Sequence, residues 1–578
     1  MKKLLLLCLI PIMLYSQSEY RFFINNINLP INNYGTLADV NIPPDGSLGR
    51  YNGIGFLFSG GFWLSGYNGD TLWASAQATA SLIENYISGN VGANQFDPRY
   101  KIYVVTKFDQ PFSKSWQEWK FAVELGARFY DGNNDSIYNP IDLNGNNAWD
   151  PNEDKPDIIG DVTTWCVFND GKTPRTRFAN VPPMGIEIRQ SLFGYYSFSS
   201  TQLRDVIFIR YEIVNTGLKN SLLDSVYFTA WADPDLGNHE NDLVGSDTLS
   251  NSGYLFNDGP DYLFGDNPPA FFINVLQGPR TYIPGETFID NNTNGNYDEG
   301  IDTPLDTAYN KMGGLKGIEI YPGARNQKLT SFTRYISSDP LAGDPNNEFD
   351  ARNYMLGMKR LGGIFDPCGI DYWGGVFGGI NCNEINPLYW YSGDPETNIG
   401  WLNTRGSDYR IVVNTGPFDL YENDPVTIVV GYTIGQGNSP ENSVTVAKLQ
   451  SQFVQEFYQS NFNYSLVSVE DEIASIPSEF ILHQNYPNPF NPVTTIKFSI
   501  PTVTLSGALP TGRQVEGSRV QLKVYDILGK EIATLVNEEN PAGNYEVNFN
   551  ATSLSSGVYF YTLRAGEFVQ SKKMVLIK

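Results

Sequence analysis

The stretch RDVIFIRYEIVNTGLKNSLLDSVYFTAWADPDLG, residues 204–237, decides the fold class of this chain. Apolar and polar residues alternate in two runs, one beginning at Val206 and one at Leu222, and each run ends in a turn signal with Gly217 or Gly237. A period of two predicts β-strands. Aromatic residues make up 14% of the chain and charged residues only 18%, with 55 glycines and 35 prolines. This balance favours strands and turns, so the sequence predicts a mainly β protein.

The same kind of pattern extends over most of the chain. We interpret residues 17–468 as one large multi-sheet β-sandwich body, or as two subdomains near 17–200 and 201–468. One helix is predicted late in the body, at Pro440–Phe462, because Ser439 can cap it and a proline suits its first turn. The face expected to pack on the sandwich carries Val444, Leu449, Phe453 and Phe457.

The body is strongly acidic. The net charge of the chain is −24, and because residues 1–16 carry +2 and residues 479–578 carry +1, the charge of residues 17–478 is −27. Such a surface disfavours nucleic acid and anionic membranes as partners and favours cations.

Oxygen-bearing side chains recur at a fixed spacing in YDGNNDSIYNPIDLNGNNAWDPNEDKPD, residues 130–157. Calcium binds six to eight oxygens, and alternate residues of a tight loop can supply them. Position 6 holds Asn147 or Ser136 in place of the usual glycine, and no helical pattern lies on both sides, so we predict calcium loops of a β protein and not an EF-hand. The alternative is a turn-rich loop without metal. Positions 1, 3, 5, 9 and 12 are Asp142, Asn144, Asn146, Asp150 and Glu153 in one loop and Asp131, Asn133, Asp135, Asn139 and the shared Asp142 in the other.

Two further acidic segments are candidate calcium sites, with a solvated acidic turn as the alternative. In ETFIDNNTNGNYDEGIDTPLD, residues 286–306, Gly295 fills position 6, but position 12 is Ile301, so Asp302 would have to substitute for the usual glutamate. The other segment follows the strand that begins at Leu222. The predicted ligands are Asp290, Asn292, Asn294, Asp298 and Asp302 in the first segment, and Asp233, Asp235, Asp242 and Asp247 in the second.

The cysteines and histidines restrict the possible chemistry. We expect a disulfide between Cys368 and Cys382, which bracket a glycine-rich loop, and a buried thiol at Cys166. The chain has only two histidines, His239 and His483, and no GxSxG, P-loop or HExxH string, which disfavours an enzyme that depends on histidine. A paired-carboxylate glycoside hydrolase needs only two suitably spaced acids, so it stays open.

Both ends of the chain carry features of export. Lys2 and Lys3 precede the apolar run 4–14, and Ser16 offers a cleavage point, so residues 1–16 are predicted to be a signal peptide. That run is too short to span a membrane, which takes about 20 residues. Residues 469–480 have the composition of a linker, and residues 481–578 alternate in short segments between turn signals, which predicts about seven strands.

Five motifs recur in order in residues 481–578: YPNPF at 486–490, KVYDILG at 523–529, SGVYFYTL at 556–563, KK at 572–573 and a terminal lysine. This segment resembles the type A C-terminal sorting domain of cargo exported by the type IX secretion system. The resemblance implies an immunoglobulin-like β-sandwich, the type IX machinery as partner, and a place outside the cell or on the outer-membrane surface. The residues that match the family's sorting signal are Pro487, Asn488, Pro489, Phe490, Gly557, Lys572, Lys573 and Lys578.

The sequence therefore predicts a secreted or cell-surface β protein that structural calcium stabilises, with a structural, adhesive or ligand-binding role. It would reach the outside after signal-peptide export to the periplasm. The alternatives are a glycoside hydrolase with paired carboxylates and a protein that binds polysaccharide without cleaving it. The GARFYDGN and DVTTWCVFND segments, at 126–133 and 161–170, also resemble large secreted proteins with this sorting domain and give a class without an activity.

Overall fold

The computed structural model forms two compact units, Met1–Leu466 and Val467–Lys578. Each unit is described by itself. The predicted signal peptide and linker lie outside the described residues, as do Pro487, Pro489 and Lys578. The described residues are 18–197, 200, 202–337, 339–369, 373–463, 481–482, 485, 488, 490–500, 518–527, 529–540, 543–552, 554–565 and 568–577.

The first unit, which we call the body, contains two large antiparallel sheets within the described ranges. With strands numbered along the chain, sheet A comprises β1 (Glu19–Phe23), β2 (Ile27–Asn32), β3 (Leu37–Ala38), β4 (Gly49–Tyr51), β5 (Ile54–Leu57), β6 (Ser59–Asn68), β7 (Thr71–Ala78), β8 (Ile83–Glu84), β16 (Leu222–Asp233), β26 (Ser331–Ile336) and β29 (Tyr409–Tyr421). Sheet B comprises β9 (Ile87–Ser88), β10 (Tyr103–Thr106), β13 (Val162–Asn169), β14 (Ile186–Gly194), β15 (Val206–Asn215), β17 (Asp242–Asp247), β18 (Ser252–Asn257), β19 (Ala270–Gln277) and β30 (Val426–Gly435).

Short two-stranded ladders close several of the long connections. They pair β11 (Phe129–Tyr130) with β12 (Lys155–Pro156), β20 (Arg280–Thr281) with β25 (Arg325–Asn326), β21 (Phe288–Ile289) with β22 (Thr303–Pro304), β23 (Thr307–Lys311) with β24 (Ile318–Pro322), and β27 (Gly374–Phe377) with β28 (Gly400–Asn403).

Aromatic rings from the two sheets form the centre of the body core. The ring of Phe62 in β6 lies 5.4 Å from that of Tyr211 in β15, and the ring of Tyr211 lies 5.2 Å from that of Phe228 in β16. Sheets that pack face to face in this way form a sandwich, as predicted. The burial of β15 is more complete than alternation implies, because all ten of its residues are buried. The mainly β, multi-sheet architecture is confirmed.

The body does not divide near residue 200. In sheet A, β6 pairs with β16, and in sheet B, β14 pairs with β15. Each sheet thus contains strands from both halves of the sequence, joined by direct pairing, and the two halves share one core. The alternative of two subdomains is therefore wrong, because pairing between distant strands cannot be read from local periodicity.

Three α-helices lie on the described part of the body: α1 (Lys114–Glu124), α2 (Glu348–Met355) and α3 (Pro440–Gln459). The sequence predicts only the last. Ser439 caps α3 by accepting a hydrogen bond from the backbone N–H of Asn442, as expected. Val444 and Ala447 pack with aromatic residues of sheet B, whereas Leu449, predicted on the buried face, is exposed. No described helix of the chain combines the length and apolarity that a membrane crossing requires.

The second unit, which we call the C-terminal unit, contains two small sheets and seven strands in its described residues, where the sequence predicts about seven. Val520, Leu522 and Val524, which alternate with polar residues in the sequence, are fully buried. In residues 557–565, Tyr559, Tyr561 and Leu563 face the core and Phe560 is exposed. One sheet has the order β31 (Ile481–Leu482), β32 (Val493–Ile500), β35 (Gly543–Asn550), and the other β34 (Glu531–Asn540), β33 (Ser518–Tyr525), β36 (Gly557–Ala565), β37 (Phe568–Leu576).

Helix α3 approaches β30 closely at Gly435, where an added Cβ would overlap the backbone nitrogen of Ala447. We expect Gly435→Ala to lower the free energy of unfolding by about 1–3 kcal/mol, since overpacking forces the helix away from the sheet. Gly314→Ala is the matched control, because nothing lies within 4 Å of its added Cβ. Urea unfolding followed by tryptophan fluorescence measures both changes. Equal stabilities of the two variants would contradict the close packing.

Candidate functional sites: an export domain and acidic loops

In the C-terminal unit, the opening motif lies against the closing strand. The backbone N–H of Phe490 donates to the carbonyl of Val575 at 2.9 Å, and Ile577 donates back to the carbonyl of Phe490 at 3.0 Å. The side-chain oxygen of Asn488 accepts from the N–H of Val575 at 2.9 Å. Phe490 is buried in the core. The two ends of the segment are therefore joined in one structure, although more than eighty residues separate them in the sequence.

Other predicted sorting residues lie on the same unit. Gly557 begins β36, and Lys572 and Lys573 lie in β37, where they pair with Tyr561 and Phe560. Residues 484–578 match the family model of the secretion system C-terminal sorting domain. This match supports a cargo protein of the type IX secretion system, as the sequence predicts. A search of the curated proteins finds no match to the chain.

We expect a chain without residues 481–578 to be retained by a host that has the type IX system, because the sorting domain is what the export machinery recognises. The measurement is the distribution of the protein between cells and culture medium, by immunoblot. A reporter that carries residues 1–16 should be exported only when residues 481–578 are attached to it. Undiminished export of the truncated chain would contradict this prediction.

Three loops of the body repeat one arrangement of hydrogen bonds. We name them by their first residue: loop 131, loop 142 and loop 290. In each loop, the carboxylate of the first residue accepts from the backbone N–H groups at positions 5 and 6. The three pairs of donors are Asp135 and Ser136 to Asp131, Asn146 and Asn147 to Asp142, and Asn294 and Gly295 to Asp290, at distances of 2.7–3.2 Å.

The backbone of the three loops also follows one path. Positions 4 and 6 are left-handed in each loop, with φ between +57° and +83°. Left-handed backbone is uncommon for residues other than glycine and costs most for a β-branched residue such as Thr293, whose φ is +58°. Asparagine tolerates it, which explains how Asn147 can replace the usual glycine. The residues at positions 4 and 6 are Asn134 and Ser136, Gly145 and Asn147, and Thr293 and Gly295.

A buried carboxylate closes each loop by accepting from the N–H groups at positions 2 and 9. Glu153 does so in loop 142, from Leu143 at 2.7 Å and Asp150 at 2.9 Å. In loop 290, Asp302 accepts from Asn291 at 2.8 Å and Asp298 at 2.7 Å. Asp302 thus occupies the place of the glutamate, because the shorter side chain comes one residue later.

Loop 131 is closed by Asp154 and not by Asp142. Asp154 accepts from Gly132 at 3.1 Å and from Asn139 at 2.7 Å, whereas Asp142 serves loop 142 alone. The predicted sharing of Asp142 is therefore wrong, because the chain folds back after loop 142 and brings Asp154 beside loop 131. Burial, followed by the nearby Asp131 and Asp135, raises the pKa of Asp154.

Amide side chains converge on the carboxylate at position 9. Asn144 and Asn146 donate to Oδ2 of Asp150 at 2.7 and 2.9 Å, and Asn292 and Asn294 donate to Oδ2 of Asp298, both at 2.7 Å. Asn133 donates to Asp135 at 2.9 Å in loop 131. A half-turn of each amide would direct its oxygen toward the same point. Loops 142 and 290 can thus present the side-chain oxygens of positions 3, 5 and 9 to one centre.

The segment after β16 brings together a different set from the predicted one. Oxygens of Asp233, Asp235 and Asp408 lie within 4.8 Å of one another. Asp408 was not predicted, because it precedes β29 and reaches the others only through the pairing of that strand with β16. Burial, then the negative charge of Asp408, raises the pKa of Asp235 to about 6. Burial, then Asp235, raises the pKa of Asp242.

Asp247 does not belong to this group. Its carboxylate accepts from the backbone and hydroxyl groups of Ser250, and it lies at the end of β17 opposite to Asp242. A strand of six residues separates its ends by about 17 Å. The prediction of Asp247 as a ligand beside Asp233 is therefore wrong, since the residues between them form an extended strand and not a compact loop.

The structure contains a disulfide between Cys368 and Cys382, while Cys166 is a buried free thiol whose pKa burial raises to about 12. We expect reduction, or the Cys368→Ser and Cys382→Ser variant, to destabilise the local loop, with a loss of roughly 3 kcal/mol. Peptide mapping without reduction should recover the two cysteines joined and Cys166 alkylated. Recovery of alkylated Cys368 and Cys382 from the unreduced protein would contradict the disulfide.

A cavity of about 410 Å³ lies beside loop 131. Its polar groups are already engaged: Arg128 pairs with Glu212 at 2.7 Å and with Glu319 at 3.0 Å, and Lys316 pairs with Asp157. Asp131 is the carboxylate among its lining residues, which are Ala127, Arg128, Phe129, Tyr130, Asp131, Met312, Leu315 and Lys316. Glycoside hydrolysis uses two facing carboxylates, so this cavity does not favour it.

Proposed function

We propose that the chain is a secreted or cell-surface β protein whose long loops are stabilised by calcium, and that its role is structural, adhesive or ligand-binding. In this proposal the N-terminal segment directs the chain to the periplasm, and the sorting domain then directs it to the type IX machinery. Loops 131, 142 and 290 each bind one calcium ion. The observation that carries the calcium proposal is the recurrence of one loop arrangement three times with different residues.

The ligand set suits calcium. The side chains at positions 1, 3, 5 and 9 and the closing group are carboxylates or amides, and calcium prefers oxygen ligands. Histidine and cysteine, the ligands that favour zinc or copper, are not among them. The acidic charge of the body acts in the same direction.

The loops also need a stabilising contribution beyond their own packing. Loops 131 and 142 together lie between β11 and β12, and loop 290 lies between β21 and β22, ladders of two residues each. Several apolar side chains of these loops are exposed, including Ile137, Leu143 and Ile301. A cation that binds the folded loop but not the unfolded chain would stabilise the native state by mass action.

We expect calcium to raise the free energy of unfolding of the body by about 1–3 kcal/mol per occupied loop when its concentration is 10 to 100 times the dissociation constant. Differential scanning calorimetry of the full chain in calcium and in EDTA measures this effect. Identical transitions under the two conditions would contradict the proposal.

Asp290→Asn should remove part of the calcium response, because it halves the charge that loop 290 offers from Asp290 and Asp298. The matched control is Asp306→Asn, in the same segment: Asp306 is exposed, accepts from its neighbour Thr307, and lies outside the ligand positions. In EDTA, Asp290→Asn should itself be less stable, because an amide can accept only one of the two backbone hydrogen bonds of Asp290, so the calcium-induced shift of each variant is compared with its own value in EDTA. A calcium response of Asp290→Asn equal to that of Asp306→Asn would argue against a site in loop 290.

A further inference from the structure

Four aspartates from separate elements meet at one edge of the body. Asp233 ends β16, Asp235 follows it, Asp408 directly precedes β29, and Asp242 begins β17. Oxygens of the first three lie within 4.8 Å of one another. Two oxygens bound to one calcium ion at about 2.3–2.6 Å are at most roughly 5 Å apart, so this spacing suits a shared ion.

Two of these carboxylates are buried and have oxygens that lack a hydrogen-bond partner within the described residues. Asp233 is 1% exposed, and neither of its oxygens accepts a hydrogen bond from any described residue. Asp242 is fully buried, and its Oδ2 likewise has no hydrogen-bond partner in the described part of the chain. An unsatisfied buried polar group costs about 1–3 kcal/mol, and a charged one costs more. These oxygens therefore require a cation or a proton to compensate their negative charge.

The nearest protein cation is not enough. Arg410 places Nη2 3.0 Å from Asp233, at an angle that does not form a hydrogen bond, and Nη1 2.7 Å from Asp408. One guanidinium thus faces four carboxylates and leaves a charge of −3 when all are ionised. A divalent cation would reduce that charge and supply a ligand centre for the unpartnered oxygens.

We propose that Asp233, Asp235 and Asp408 bind one divalent cation, calcium, with Asp242 as the neighbouring fourth carboxylate. This site goes beyond the three loops, since it is built from strand ends, contains the buried Asp233 and Asp242, and does not lie in an exposed loop. A cation bound there would hold the end of β16, the chain before β29 and the start of β17 together. The backbone N–H of Ser407, which donates to the carbonyl of Asp242 at 3.1 Å, already joins two of these segments.

Carboxyl-group footprinting of the wild-type full chain tests the site directly. Asp235 and Asp408 are partly exposed, so they should react in EDTA, and calcium at ten times the dissociation constant should protect them by roughly tenfold. Asp247, also partly exposed but held by Ser250, is the internal control and should react equally in both solutions. Equal labelling of Asp235 and Asp408 with and without calcium would overturn the proposal.

A variant gives a second test. The direction of its change in melting temperature distinguishes a bound cation from protons that the carboxylates share. Asp235→Asn should lower the melting temperature in calcium and lose one bound calcium per chain, but raise or preserve the melting temperature in EDTA, where it relieves repulsion. If protons hold the carboxylates together, the variant is at least as stable as wild type in both solutions and keeps the calcium count, which would overturn the proposal. Footprints at Asp131, Asp142 and Asp290 report the loops separately, so the two proposals fail independently.

Discussion

The face-to-face packing of the two large sheets is the constraint on which the rest of the body depends. The aromatic rings of Phe62, Tyr211 and Phe228 meet across the interface, and β15, β30 and most of β16 are buried along their length. Burial of a large aromatic side chain contributes about 1.5–3 kcal/mol, so this core stabilises the strands strongly. The connections that project from the sheets receive little of that stabilisation.

The acidic residues of the candidate sites lie in these projecting loops and at the ends of strands. In the loops, backbone N–H groups satisfy the carboxylates, and the ladders β11–β12 and β21–β22 fix only the base of each loop. At the edge that contains Asp233, the strands themselves bring the carboxylates together, and one arginine opposes them. Calcium would neutralise clustered carboxylates in both places. The sorting domain indicates a destination outside the cell, where calcium is abundant.

Local spacing was sufficient to predict much of this arrangement. The alternation in β33 and the cap of α3 were correct, and the substitution of Asp302 for a glutamate could be read from its position one residue later. Contacts between segments that are distant in the chain could not be predicted from the sequence. Asp154 closes loop 131 only because the chain returns after loop 142, and the carboxylate beside Glu153 was the one available signal. Asp408 gave no such signal, since the pairing of β29 with β16 brings it to Asp233.

Crystals of the body grown in calcium, with diffraction data collected at a wavelength where calcium scatters anomalously, test the central claim most directly. The account predicts one anomalous peak inside each of loops 131, 142 and 290, with oxygens at about 2.3–2.6 Å from positions 1, 3 and 5. Loops that keep their amide-to-carboxylate hydrogen bonds and contain no anomalous peak at millimolar calcium would contradict it.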